Sequence, residues 1–125
     1  MLRLIAGDKR IVGSVLVIFN NDRQMSGLNY RFKGKKQPTD VLAFDLAERP
    51  IKNYIEGEIY VNLQAALRQA EAFKVDYFEE VARLCAHGFL HLSGYDDSKT
   101  FKKNKMWQIQ ERYLHGFLKR KVNGD

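Results

Sequence analysis

The sequence predicts an α+β domain, a small mixed β-sheet covered by helices, and three observations predict it. β-Branched and aromatic runs are short and fall in the first half of the chain, near residues 15–20, 41–44 and 58–61. The second half, from residue 63 to about residue 119, is dense in helix formers with apolar residues at i, i+3 and i+4 spacing. Turn residues separate the periodic segments, with Gly34, Pro38, Gly57 and Gly94 at the boundaries.

Lys9-Arg10 precedes the apolar run from Ile11 to Phe19, a layout superficially like that of a secretion signal. The run is too short to span a bilayer, and Asn20-Asn21-Asp22-Arg23 follows it in place of a small-residue cleavage site. It reads as a buried strand over residues 15–20. Asp22 is placed to cap a short helix running through Met25 and Leu28 towards Phe32. Residues 33–37 are basic, contain Gly34 and read as a loop, which Pro38-Thr39-Asp40 closes before a strand at Val41-Leu42-Ala43-Phe44. A polar connection follows through Pro50, and Gly57 opens Glu58-Ile59-Tyr60-Val61, whose alternation is that of a half-buried strand.

Asn62 can cap a helix over residues 63–73. Asp76 and Glu79 form an acidic variant of the capping box, opening a helix whose apolar positions are Phe78, Val81, Ala82, Cys85, Phe89 and Leu92, and which Gly94 stops. A last helix, about residues 99–119, is expected to turn Met106, Trp107, Ile109, Tyr113, Leu114, Phe117 and Leu118 inward and its lysines outward. The string His-Gly-Phe-Leu occurs at His87 and again at His115, but the flanking residues differ and no repeat is read from it.

A chain of 125 residues suits one domain spanning residues 1–125, with 45% hydrophobic and 29% charged residues as in ordinary soluble globular proteins. Cys85 is its only cysteine, so no internal disulfide can form; apolar neighbours mark it as a buried small hydrophobe, which fits a reducing cytoplasm. The net charge of +6 is unevenly spread. Residues 99–121 hold eight basic residues against one acid, Glu111, and a second basic knot lies at Arg31, Lys33, Lys35 and Lys36. Such runs are either a solvated helix face or an electrostatic footprint for a polyanion; the second reading points to RNA and not to a membrane, since no aromatic-anchored amphipathic basic helix is evident.

His87 and His91 are four apart on the central predicted helix, so their imidazoles share one face and can converge on a single ion. Gly88 between them costs helix stability, about 0.5–1 kcal/mol relative to alanine, and implies a close approach to the backbone. Asp96 or Asp97, past the Ser93-Gly94 stop, could fold back as a carboxylate ligand. Two histidines and one carboxylate leave coordination positions open for a water, a catalytic pattern and not a closed structural one. The metalloprotease signature places a glutamate between its histidines, whereas Gly88-Phe89-Leu90 stands here, which disfavours a peptidase.

The stretch His87-Gly88-Phe89-Leu90-His91-Leu92-Ser93-Gly94-Tyr95-Asp96 closely resembles the signature of the YbeY-type rRNA maturation endoribonucleases. Leu28-Asn29, the Gly34-Lys35 loop, Pro38-Thr39-Asp40-Val41-Leu42-Ala43-Phe44 and Gly57-Glu58-Ile59 resemble the family's other blocks in order, over residues 15–106 or so. The chain looks like a short member, lacking most of the segment that usually precedes the first strand. The resemblance implies a metal-dependent, single-strand-directed endoribonuclease of rRNA maturation and ribosome quality control, cytoplasmic, with one zinc-type divalent ion and no small-molecule organic cofactor. Its partners are then RNA and the ribosome or small subunit, with no membrane.

By position, the family's first two ligands fall on His87 and His91 and the third on Asp97, where the family most often has histidine. A carboxylate there shifts preference towards harder ions. His115 is the other histidine available. The arginine that the family carries before Pro-Thr-Asp falls on Lys33, which keeps the charge for a phosphate contact but loses the bidentate fork; Arg31 could compensate, and Arg31, Lys33, Lys35 and Lys36 together form the expected RNA-binding knot. Asp40 and Asp96 are candidate bases, Thr39, Leu42 and Phe44 candidate cleft walls, and Tyr30 and Tyr95 candidate stacking residues. A different class of reading keeps the basic surface but makes the chain a non-catalytic ribosome-associated RNA-binding protein with a structural metal site.

Overall fold

The computed structural model describes residues 7, 10–49, 51–95 and 98–122, and in the last helix its side chains as far as residue 119. Pro50 lies outside the described residues. The elements run β1 (Val12–Asn20), α1 (Asp22–Lys33), β2 (Val41–Asp45), β3 (Tyr54–Asn62), α2 (Leu63–Phe73), α3 (Tyr77–Leu92) and α4 (Thr100–Val122). That is the α+β order expected from the hydrophobic periods.

The sheet order is β1-β3-β2, with β1 parallel to β3 and β2 antiparallel to it. Nine residue pairs, from Val12 with Tyr54 to Asn20 with Asn62, register β1 on β3. This long ladder explains why both strands begin three or four residues before their apolar runs suggest: backbone pairing continues through Gly13, Ser14 and Glu56, whose side chains carry no strand signal. β1 is not the buried strand its composition implies. It is an edge strand with Val15 and Val17 packed on the core and Leu16 59% exposed on the other face.

The core lies between one face of the sheet and α3. Ile59 and Val61 of β3 meet Leu84, Cys85, Ala86, Phe89 and Leu90 of α3, and Met106 and Tyr113 of α4 close the far side. α3 is therefore the central helix, touching β2, β3, α2 and α4. Burial pushes the Cys85 thiol up to about 11, which keeps it a protonated packing residue.

Two caps differ from expectation. Asn21, not Asp22, caps α1, accepting from the Gln24 amide while the Gln24 side chain accepts from the Asn21 amide. Asp22 is taken by Arg68 on α2 in a bidentate pair at 2.7 and 2.8 Å. Asp76 stands at the N-cap of α3 with no side-chain cap hydrogen bond, and Glu79 pairs with Arg83 instead of reaching back. Asn62 caps α2 as expected, its Oδ1 accepting from the amides of Gln64 and Ala65. Trp107 does not turn inward: it is 53% exposed, while the buried place on that face goes to Gln110. No helix among the described residues is long and apolar enough to cross a membrane.

Candidate metal centre and cleft

α3 carries His87 and His91 one turn apart, and their Nε2 atoms approach to 3.1 Å with the rings edge to face at a centroid distance of 4.7 Å. His87 Nδ1 lies 2.8 Å from Oε1 of Gln110, which α4 delivers fully buried, at 1% exposure. The Gln110 amide is oriented from behind, since its Nε2 donates to Oε2 of Glu111 at 3.1 Å. An amide oxygen only accepts, so Nδ1 of His87 donates to Gln110 and Nε2 is the nitrogen turned towards His91. Two imidazole nitrogens bound to one tetrahedral ion at about 2.0–2.1 Å each would be roughly 3.3 Å apart, so this donor pair suits a borderline divalent ion such as zinc.

Gly88 is what lets α3 lie close enough to the sheet to do this. A Cβ there would come within 2.6 Å of Ile59 Cγ2 and 3.2 Å of Val41 Cγ2. The close approach implied by a glycine between the histidines is thus made by β3 and β2. After Leu92 the chain leaves the helix through Gly94 at φ 100°, a left-handed turn that opens the way to the next segment.

In front of the histidines lies a cleft of about 460 Å³ lined by Lys33, Thr39, Asp40, Val41, Leu42, Ala43, His87, Gly88 and His91. Polar side chains brace its walls, a role in which Asn29 and Asn62 take partners that their sequence positions alone do not reveal. Asn29, buried on α1, donates through Nδ2 to the Gln37 carbonyl at 2.9 Å and pins the turn after Lys33. Asn62 Nδ2 donates to the Thr39 carbonyl at 3.2 Å and to Asp22 at 2.7 Å, tying that turn to the starts of α1 and α2. Asp40 accepts from Gln69 Nε2 at 3.1 Å. Asn29, one turn after Met25 on the inward face of α1, is the signal that could have revealed this bracing.

Of the four cations in the expected knot, Lys33 alone lines this cleft; it is the last residue of α1 and not part of a loop. Arg31 faces a separate groove with Ile18, Phe19 and Tyr60, and Lys36 sits over the Tyr30 ring at 5.5 Å. Lys35 is exposed. Thr39 and Leu42 line the cleft but Phe44 does not, and Tyr95 lines another hollow with Asp45, Tyr54 and Ile55. His115 is exposed on α4. Asp97 and Asp96 lie outside the described residues, and among the described residues no third His, Cys, Asp or Glu joins the histidine pair.

Behind Gln110 stands a charge network. Arg83 bonds Glu79, Glu80 and Glu111, with Nε to Glu111 Oε2 at 3.0 Å. Burial works against the Arg83 charge, but the hydrogen bonds from Glu111, Glu80 and Glu79 more than offset this and hold its pKa above the ordinary value. Glu80, at 2% exposure, is pushed upward by burial, with the Arg83 hydrogen bond partly countering that. Arg83, Glu111, Gln110 and His87 thus form a continuous relay from a buried ion network to the imidazole.

The endoribonuclease YbeY family model matches residues 4–118. An endoribonuclease YbeY of Persephonella marina is 37% identical over 100 residues, 78% of this chain and 65% of that protein. One of Thermodesulfovibrio yellowstonii is 38% identical over 99 residues, 75% of this chain and 62% of the relative. The chain thus spans somewhat less than two thirds of the length of these relatives. A solution structure from Thermotoga maritima superposes with a TM-score of 0.69 at 30% identity, covering 99% of this chain and 83% of that one. With the family model running through both histidines, the cleft and the relay behind them, the chain belongs to the endoribonuclease YbeY family.

Proposed function

We propose that this chain is a metal-dependent endoribonuclease that cuts single-stranded RNA in rRNA maturation and ribosome quality control, in the cytoplasm. The observation that carries the reading is the convergence of His87 and His91 Nε2 at 3.1 Å on the floor of a cleft whose wall bears Lys33. His87, His91 and Asp97 are the residues that would hold one divalent ion of zinc type, the carboxylate tilting the site towards harder ions. Such an ion, when bound, supplies Lewis-acid polarisation and a water of lowered pKa.

The chain's own residues do the rest. Lys33 neutralises phosphate charge at the cleft wall. Its single ammonium attracts a phosphodiester without fixing its rotation, so orientation falls to the braced turn that presents Thr39. Asp40, held by Gln69, is the cleft carboxylate able to take a proton from the water that adds to phosphorus and to return it to the leaving ribose oxygen as the P–O bond breaks. The ribosomal setting of the reaction rests on the family resemblance.

The test is metal content together with cleavage of a single-stranded RNA by the wild type, His91→Ala and Asp97→Ala, with circular dichroism as the fold control. Near-stoichiometric metal and cleavage, both lost in folded variants, support the reading. Metal without cleavage would instead leave an RNA-binding protein with a structural ion.

A further inference from the structure

We propose that the crevice beside Trp107 is a base-stacking subsite for the nucleotide next to the scissile phosphate, an inference that rests on the ribonuclease reading above. His87 forms the partition between two hollows. One is the Lys33 cleft; the other, about 190 Å³, is lined by His87, Lys103, Asn104, Met106 and Trp107. A strand crossing His87 from the first hollow enters the second.

The second hollow has what an unpaired nucleotide requires. Trp107 offers an indole that is 53% exposed although α4 has buried positions on either side of it, at Met106 and Gln110. The Arg83 guanidinium, itself anchored by three carboxylates, lies over this ring at 6.0 Å from its centroid. An exposed aromatic can stack any base, and only a base already out of a duplex can reach it. Lys103 lies four residues before Trp107, on the same helix face, and supplies charge for the adjoining phosphate. Asn104 offers amide donors and an acceptor to a base edge. The ligand is therefore a single-stranded polynucleotide, whose phosphates complement the surplus of basic residues along this helix. Single-strand preference would then come from α4 as much as from the metal centre.

Trp107 is the only tryptophan, so its fluorescence reports the subsite directly. The full chain is mixed with a nine-nucleotide oligoadenylate in stopped flow, before cleavage proceeds, and with a duplex of equal length. The subsite predicts saturable quenching by the single strand and little by the duplex. Trp107→Ala weakens single-strand binding, read by anisotropy of labelled RNA, about tenfold, and Trp107→Phe restores most of it. Lys103→Ala lowers the salt slope of binding by about 0.7. Wild-type affinity in a folded Trp107→Ala, or loss of affinity without any quenching in the wild type, overturns the subsite while leaving the ribonuclease reading intact. Absence of single-strand binding by the wild type overturns both.

Discussion

Gln110 Oε1 sits 2.8 Å from His87 Nδ1, and this bond joins α4 to the histidine pair on α3 across 23 residues of sequence. It sets which nitrogen of the ring donates to Gln110 and which way the ring faces. Removing it leaves a half-buried N–H without that acceptor, a cost of about 1–3 kcal/mol, and lets the imidazole turn. Gln110→Ala is expected to weaken divalent-metal affinity roughly 10- to 100-fold while the fold persists. Competition against a chromophoric chelator measures the affinity, and an unchanged value would show that the bond is only packing.

Gly88→Ala should destabilise by about 1–3 kcal/mol, because the new methyl collides with Ile59 Cγ2, whose branched side chain is fully buried and stiff at χ1. The clash lies between the two histidines, so RNA cleavage should fall as well. Urea unfolding gives the first number and a cleavage assay the second. A swap that gains stability, as alanine for glycine does in an open helix, would contradict the close packing.

Arg83→Met removes the partner of three carboxylates, one of them Glu80 at 2% exposure. The expected loss is about 3 kcal/mol at neutral pH. Glu80 already has a folded-state pKa above its ordinary value through burial, and removing the cation raises it further. A raised carboxyl pKa favours folding below the unfolded value, so the deficit of the variant should shrink as pH falls towards 4.5 and below. Denaturant midpoints of both proteins at pH 7 and pH 4.5 decide the matter.

Asp22 behaves in the opposite sense. Hydrogen bonds from Arg68 and then Asn62 hold its carboxyl at about 2, below the ordinary 3.8. A depressed pKa contributes stability that is present above the unfolded value and lost as pH falls from about 4 to about 2. Asp22→Asn should remove that part of the acid sensitivity, leaving a shallower slope in thermal midpoints across this window. Identical slopes in the two proteins would mean that the Arg68 pair is too solvated to matter.

The local features were legible from the chain itself. Asn62 caps α2, the histidines share one face of α3, Gly94 ends that helix, and the α+β order follows the change from period 2 to period 3.6. Each depends on residues within a turn or two of one another, where hydrogen bonding and periodicity act without help from elsewhere. Asp22 left its cap because Arg68, 46 residues away, pairs with it; Glu79 went to Arg83 one turn along its own helix, an arginine that Glu111 of α4 also holds; and on α4 the buried place beside Trp107 went to Gln110, whose partner His87 lies on α3.

The sequence by itself therefore determined the elements, their order and the pairing of His87 with His91. Only the tertiary structure decided that Gln110 orients His87, that Ile59 and Val41 press on Gly88, and that Lys33, alone of its basic knot, borders the histidine cleft. A polar or charged side chain has many possible partners, and which it keeps is settled by the packing of apolar faces that brings some within hydrogen-bond reach and carries the others away.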